Sequence, residues 1–131
     1  MGEAAATRKA GQAAAQDELL SRFARIMRDR YKARVYLFGS RACGTAGEYS
    51  DYDLVAVSAA FERESRFSRC VDRGEMWLAA GGWRKALDLH CYTPEEFLGE
   101  LRGLGYLGQA HARGELVLIK PAARTVSAGA G

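Results

Sequence analysis

Three aspartates and a Gly-Ser pair are the residues of this chain whose types and spacing could do chemistry. Gly39-Ser40 closes an apolar run, Val35-Tyr36-Leu37-Phe38, and after ten intervening residues Asp51-Tyr52-Asp53 opens a second, Leu54-Val55-Ala56-Val57. A third carboxylate, Asp88, interrupts Ala86-Leu87-Asp88-Leu89-His90-Cys91-Tyr92. Carboxylates at i and i+2 of a strand leave from the same face, so Asp51 and Asp53 are expected to project together. Two neighbouring carboxylates repel unless a cation lies between them. A small set of hard oxygen ligands, with positions left for water and phosphate, suits Mg²⁺. A charge within an apolar run is costly unless paired. A third strand laid beside the second would bring Asp88 to the pair, to share a metal and accept the proton of an attacking hydroxyl.

The Gly-Ser pair fits the other half of such a reaction. A triphosphate needs backbone N–H groups facing it and no side chain in the way. Gly39 lets the backbone turn tightly and come close, Ser40 adds a hydroxyl donor, and Arg41 could add charge. If a short helix over 40–46 begins with Ser40 as its cap, free N–H groups also face the phosphate. Each feature alone has a plainer reading: an ordinary strand-to-helix turn, a turn-capping Asp51 that leaves only Asp53 facing solvent, and an edge-strand Asp88. Their combination at this spacing suits a nucleoside triphosphate held against a divalent metal.

The elements that must position these residues can be read from periodicity. Leu19, Leu20, Phe23, Ile26, Met27 and Tyr31 recur at three-to-four spacing, which predicts an amphipathic helix over 17–32. Strands are expected over 35–38, 53–57, 85–92 and 116–119. Phe67, Cys70, Val71, Trp77 and Leu78 suggest a helix over about 62–80, ended by Gly81-Gly82. Thr93-Pro94-Glu95-Glu96 is a helix start with a capping box, and a further helix is expected near 104–113. The order α-β-α-β-α-β-α-α-β predicts an α/β (α+β) fold, a small mixed sheet with helices packed on it. Residues 17–121 form the expected domain, with small-residue tails over 1–16 and 122–131.

Composition is compatible with this and excludes little else. At 131 residues and 48% hydrophobic, the chain is long enough for one cored domain. No apolar run approaches a membrane span and no signal-peptide core is visible, which predicts a cytoplasmic protein. Cys43, Cys70 and Cys91 have no metal-ligand spacing, and disulfides are not expected. The net charge of +3 suits anionic ligands but is too small to argue for nucleic acid as a direct ligand.

Leu37-Phe38-Gly39-Ser40-Arg41, Ser50-Asp51-Tyr52-Asp53-Leu54-Val55, the later Asp88 and Thr93-Pro94-Glu95-Glu96-Phe97 together resemble the nucleotidyltransferases of the polymerase-beta superfamily. The shortness of the chain resembles the minimal nucleotidyltransferases. The resemblance implies that Gly39, Ser40 and Arg41 contact the triphosphate and that Asp51, Asp53 and Asp88 hold Mg²⁺ and form the catalytic set. It implies transfer of AMP from ATP to a hydroxyl, with release of pyrophosphate. It also implies an antitoxin setting, in which the acceptor is a tyrosine of a partner toxin of the HEPN ribonuclease class. One departure is that Cys43 stands where many relatives carry a second basic residue.

The other singled-out residues receive blander readings. His90 shares a face with Asp88 and is read as a rim or core histidine before a proton shuttle. His111 is given no catalytic role. Trp77 is read as core. Arg22, Arg25, Arg28, Arg30, Lys32 and Arg34 are read as the solvated face of the first helix. The alternatives to protein adenylylation are transfer to an aminoglycoside-like small molecule by a self-associated dimer, and a non-catalytic module that only binds its partner.

Overall fold

The computed structural model describes residues 17–124; the expected tail over 1–16 and the 125–131 part of the other lie outside the described residues. The chain opens with α1 (Glu18–Tyr31), which forms where the apolar stripe predicts. Asp17 caps it, its carboxylate accepting from the N–H groups of Leu19 and Leu20 at 2.8 and 3.3 Å. Leu19, Leu20, Phe23 and Met27 are buried. Lys32 takes a left-handed conformation and ends the helix.

β1 (Arg34–Phe38) follows, then a one-turn helix α2 (Ser40–Cys43), β2 (Tyr52–Val57), a 3₁₀ turn (Ala59–Arg63), α3 (Arg73–Ala80), β3 (Leu87–Tyr92), α4 (Pro94–Arg102), α5 (Tyr106–Ala112) and β4 (Val117–Leu118). The four strands form one mixed sheet in the order β3-β2-β1-β4. β1 is antiparallel to β2 and to β4, and β2 is parallel to β3. The expected mixed α/β architecture is therefore the observed one. One face of the sheet packs on α1 and α3, through Phe23, Met27, Leu37, Leu54, Trp77 and Leu89. The other face carries a smaller cluster of Val55, Val57, Phe97 and Leu107 under α4 and α5. Trp77 is in the core, edge-on to Phe23 with ring centres 5.2 Å apart.

The helix expected over 62–80 is the main correction. Only Arg73–Ala80 is α-helical, and residues 66–72 form turns. Phe67 and Val71, counted on an apolar stripe, are 98% and 79% exposed, whereas Arg69 and Cys70 are buried. Cys70 sits at φ +54°, which no continuous helix accommodates. Arg69 and Arg73 explain the inversion: Arg73 donates to the carbonyls of Cys70 and Leu89 at 3.1 and 2.7 Å, and Arg69 to that of Cys91 at 3.1 Å. The segment is thus organised by guanidinium bonds to the free edge of β3 rather than by apolar periodicity. Smaller corrections fall at element ends. β3 starts at Leu87 because Lys85 closes a turn onto the Gly82 carbonyl and Arg84 lies at φ +63°. Residues 122–124, expected within a tail, are held against α1: the Ala122 N–H donates to the Ser21 carbonyl at 2.9 Å, and Arg124 pairs with Asp29 at 3.0 Å. The capping box at Thr93 and Glu96 is present as expected.

Candidate functional site

The C-terminal end of β1 and the N-terminal ends of β2 and β3 meet at one rim of the sheet. Because β2 and β3 are parallel, their register sets Asp53 directly beside Asp88. β2 pairs Asp53 with Phe38 on its other side, and this brings Gly39 up to the same carboxylate. Gly39 is at φ +77°, and a Cβ built on it would overlap the Asp53 carboxylate. Both the conformation and the close approach require glycine here.

A cavity of about 670 Å³ opens at this rim, within the roughly 300–1,000 Å³ usual for ligand pockets. Gly39, Ser40, Asp53 and Asp88 line one end. The alternation of β3 turns Asp88, His90 and Tyr92 to the cavity and leaves Leu87, Leu89 and Cys91 to the core. Asp53 is half-buried, and its carboxyl is held above the ordinary carboxylate range, first by burial and then by the negative charges of Asp88 and Asp51. His90 works weakly in the other direction, and its Nε2 lies 3.4 Å from Asp88 Oδ1. Among the described residues no three acidic, histidine or cysteine side chains stand close enough to enclose a cation by themselves.

The remaining sequence candidates are placed as follows. Asp51 precedes β2, is exposed, and does not line the cavity, so it reaches Asp53 through its charge alone. Ser40 is the first residue of α2, whose cap position belongs to Gly39; no side-chain capping bond is made, so the expectation of Ser40 as cap is corrected. The reason is the positive-φ turn at Gly39, which starts the helix one residue early and leaves the Ser40 side chain at the cavity. α2 is a single turn, ended by Gly44 at φ +86°. A dipole effect from so short a helix is small.

Arg41 does not face the cavity as the resemblance implies. Its guanidinium donates to the Ser50 carbonyl at 3.1 and 2.8 Å and to that of Glu48 at 3.3 Å, and it lies 3.9 Å over the ring of Tyr52. These bonds fold the glycine-rich connection back so that Asp51 and Asp53 follow from a fixed start. Sequence reasoning missed the opposite wall, where Glu100 comes from α4, Tyr106 and Gln109 from α5, and Arg113 from just after it. Tyr106, Gln109 and Arg113 recur at helical spacing, but nothing local distinguishes a cavity wall from a solvated face.

A profile of the nucleotidyltransferase domain family matches residues 20–107, the span that contains the whole rim. The chain belongs to this nucleotidyltransferase family. Its fold is similar, over 90% of this chain and 89% of the other, to the crystal structure of a protein from Sulfolobus solfataricus described as a candidate nucleotidyltransferase, with a TM-score of 0.50 and 21% identity. No match was found among the curated proteins. A nucleotidyltransferase domain implies a nucleoside triphosphate substrate, and such domains generally work with divalent metal. Among the described residues no helix is long and apolar enough to cross a membrane.

Proposed function

We propose that this nucleotidyltransferase transfers AMP from ATP, with Mg²⁺, to the hydroxyl of a tyrosine on a partner protein, in the manner of an antitoxin acting on a HEPN-type toxin. The observation that carries the nucleotidyl part is the placement of Asp53 beside Asp88 under a glycine that cannot bear a side chain. The donor set fits Mg²⁺. Its oxygens are hard, and the like-charge crowding that raises the Asp53 carboxyl is the strain a cation at that rim would relieve. Among the described residues too few donors stand together to enclose the ion, which suits a metal that arrives with phosphate and water. Asp53 and Asp88 would hold it, with Asp51 adding charge from outside. Once bound, Mg²⁺ offsets the triphosphate charge and polarises the phosphorus–oxygen bonds.

The chain's own residues do the rest. The Gly39 backbone admits the phosphates, and Ser40 donates to them. Asp88 accepts the proton of the acceptor hydroxyl. The hydroxyl oxygen bonds to the α-phosphorus, the bond to the β-phosphate oxygen breaks, and pyrophosphate leaves. Arg41 acts as a positioning residue through the loop it clamps. What supports a protein acceptor is the rim beside the cavity, where Leu104 and Tyr106 are 94% and 84% exposed. Exposed apolar groups next to a cavity suit a macromolecular partner better than a small polar one.

The test is incubation of the protein with α-labelled ATP, Mg²⁺ and a co-expressed partner, beside an Asp51→Ala/Asp53→Ala control. Label on a partner tyrosine made only by the wild type is expected. Label on a small molecule would replace the protein acceptor by an aminoglycoside-like one. Co-purification of the partner with no label moved by any nucleotide or divalent metal would leave a binding module and defeat the enzyme.

A further inference from the structure

Cys70 and Cys91 are 21 residues apart in sequence, yet their sulfur atoms lie 3.2 Å apart and share a hydrogen bond. Neither takes part in the nucleotide chemistry. Cys91 is on the core-facing side of β3 and partly buried, while Cys70 is fully buried in the turns before α3. The contact is imposed from outside by Arg69 and Arg73, which flank Cys70 in the chain and hydrogen-bond to the carbonyls of Cys91 and Leu89. Cys70 itself is kept at φ +54°, a conformation uncommon for a residue with a Cβ. The fold thus holds two thiols against each other inside a rigid frame, with two guanidiniums in range of the pair.

The geometry points to a site of oxidative modification, in which Cys91 reacts with a hydroperoxide and Cys70 resolves the product as a Cys70–Cys91 disulfide. The steps balance. The Cys91 thiolate attacks one peroxide oxygen, the O–O bond breaks, and water or an alcohol leaves after protonation. Cys91 is then a sulfenic acid. The Cys70 sulfur attacks the Cys91 sulfur, hydroxide leaves with the Cys70 proton as water, and the sulfur–sulfur bond forms. The peroxide takes up the two electrons that the thiols lose.

The roles follow from the surroundings. The hydrogen bond with Cys70 and the charges of Arg73 and Arg69 hold the Cys91 thiol below the usual thiol range, against its burial. The same hydrogen bond, with burial next, pushes Cys70 upward. Cys91 is partly exposed and Cys70 fully buried, so a peroxide meets Cys91 first. Cys43, the third cysteine, lies at the cavity, bonded to Thr45 at 3.2 Å, and is remote in sequence from the pair. This inference does not depend on the nucleotidyl reading.

The test uses the Cys43→Ser protein treated with hydrogen peroxide and analysed without reductant. Loss of about 2 Da from the intact mass, a Cys70–Cys91 linked peptide, and a melting temperature raised by several degrees and restored by dithiothreitol are expected. In a Cys70→Ala variant, a sulfenic acid on Cys91 should be trapped by a dimedone-type reagent. Stepwise gain of oxygen on Cys91 with no linked peptide in the Cys43→Ser protein would overturn the proposal. So would thiols that stay intact in both proteins, or linkage only between molecules.

Discussion

The two sides of β3 carry opposite charge arrangements. On its cavity side Asp88 stands beside Asp53, with Asp51 in electrostatic reach, and His90 offsets them weakly. On its free edge the charges are matched. Arg73 and Arg69 donate to the Leu89 and Cys91 carbonyls that no further strand takes up, and Arg69 pairs with Glu96 at 2.6 Å while buried. Glu96 in turn accepts from the Thr93 N–H at 2.8 Å as the capping-box partner of α4. An edge strand must hide its open carbonyls to avoid unwanted pairing, so that side is closed and complete. The cavity side stays electrostatically incomplete, which costs stability and, on the proposed function, suits the rim to a cation and a triphosphate. The same strand therefore separates function from folding by which way its groups face.

Substitutions should break this contrast in graded fashion. Asp53→Asn is expected to lower nucleotidyl transfer on the order of 10³–10⁴-fold. It should leave the melting temperature at neutral pH unchanged or higher. The folded-state carboxyl is raised, so its ionised form opposes folding above that value and its removal relieves the crowding. A melting temperature that fell with activity would mean that Asp53 is structural. On the closed edge the expectation reverses. Arg69→Met should cost about 2–3 kcal/mol of stability by leaving the Cys91 carbonyl without its guanidinium donor and Glu96 with only Arg66 and the Thr93 N–H, as read from denaturant unfolding.

Glu96 sharpens the same point through pH. Its bond to Arg69 and the Thr93 N–H depress its carboxyl to about 2, from an ordinary 4.5. A depressed acid contributes stability that is whole above about pH 4.5 and is lost as the pH falls toward 2. Glu96→Gln should flatten the acid side of the stability profile over that window, and an unchanged profile would remove Glu96 from the edge's account.

Gly39→Ala tests where the two regimes touch. The positive φ and the overlap with Asp53 predict a loss of about 1–3 kcal/mol, accompanied by weaker triphosphate binding in a titration against non-hydrolysable ATP. The smallest effect is expected for Arg41→Ala. Loss of its bonds to the 48–50 loop should cost about 1 kcal/mol and reduce transfer roughly tenfold through turnover rather than ATP binding. A change confined to ATP affinity would return Arg41 to the phosphate contacts that the resemblance implied.

The legible parts of this chain are those whose signal is local. α1 follows from a stripe at helical spacing, α4 from a capping box, and β1 and β2 from short apolar runs bounded by Gly39 and Asp53. The mixed α/β class follows from their order. The segment 62–80 departs from its apolar spacing because that spacing counts side chains and carries no sign of a guanidinium bonding to a distant backbone; there Arg69 is buried and Phe67 is exposed.

At the rim, sequence alone determined the chemical inventory: carboxylates, a glycine that must follow β1, and a hydroxyl beside it. These are covalent facts joined by short spacings, and local stereochemistry limits where such residues can go. Only the tertiary structure decided that Asp88 lies level with Asp53, that Arg41 turns to its own loop, that α4 and α5 close the cavity, and that Cys70 meets Cys91. Each of these depends on strand register or on the docking of distant segments. Register is fixed by burial of a whole face and by edge hydrogen bonds summed over many residues, so no single stretch of sequence contains it.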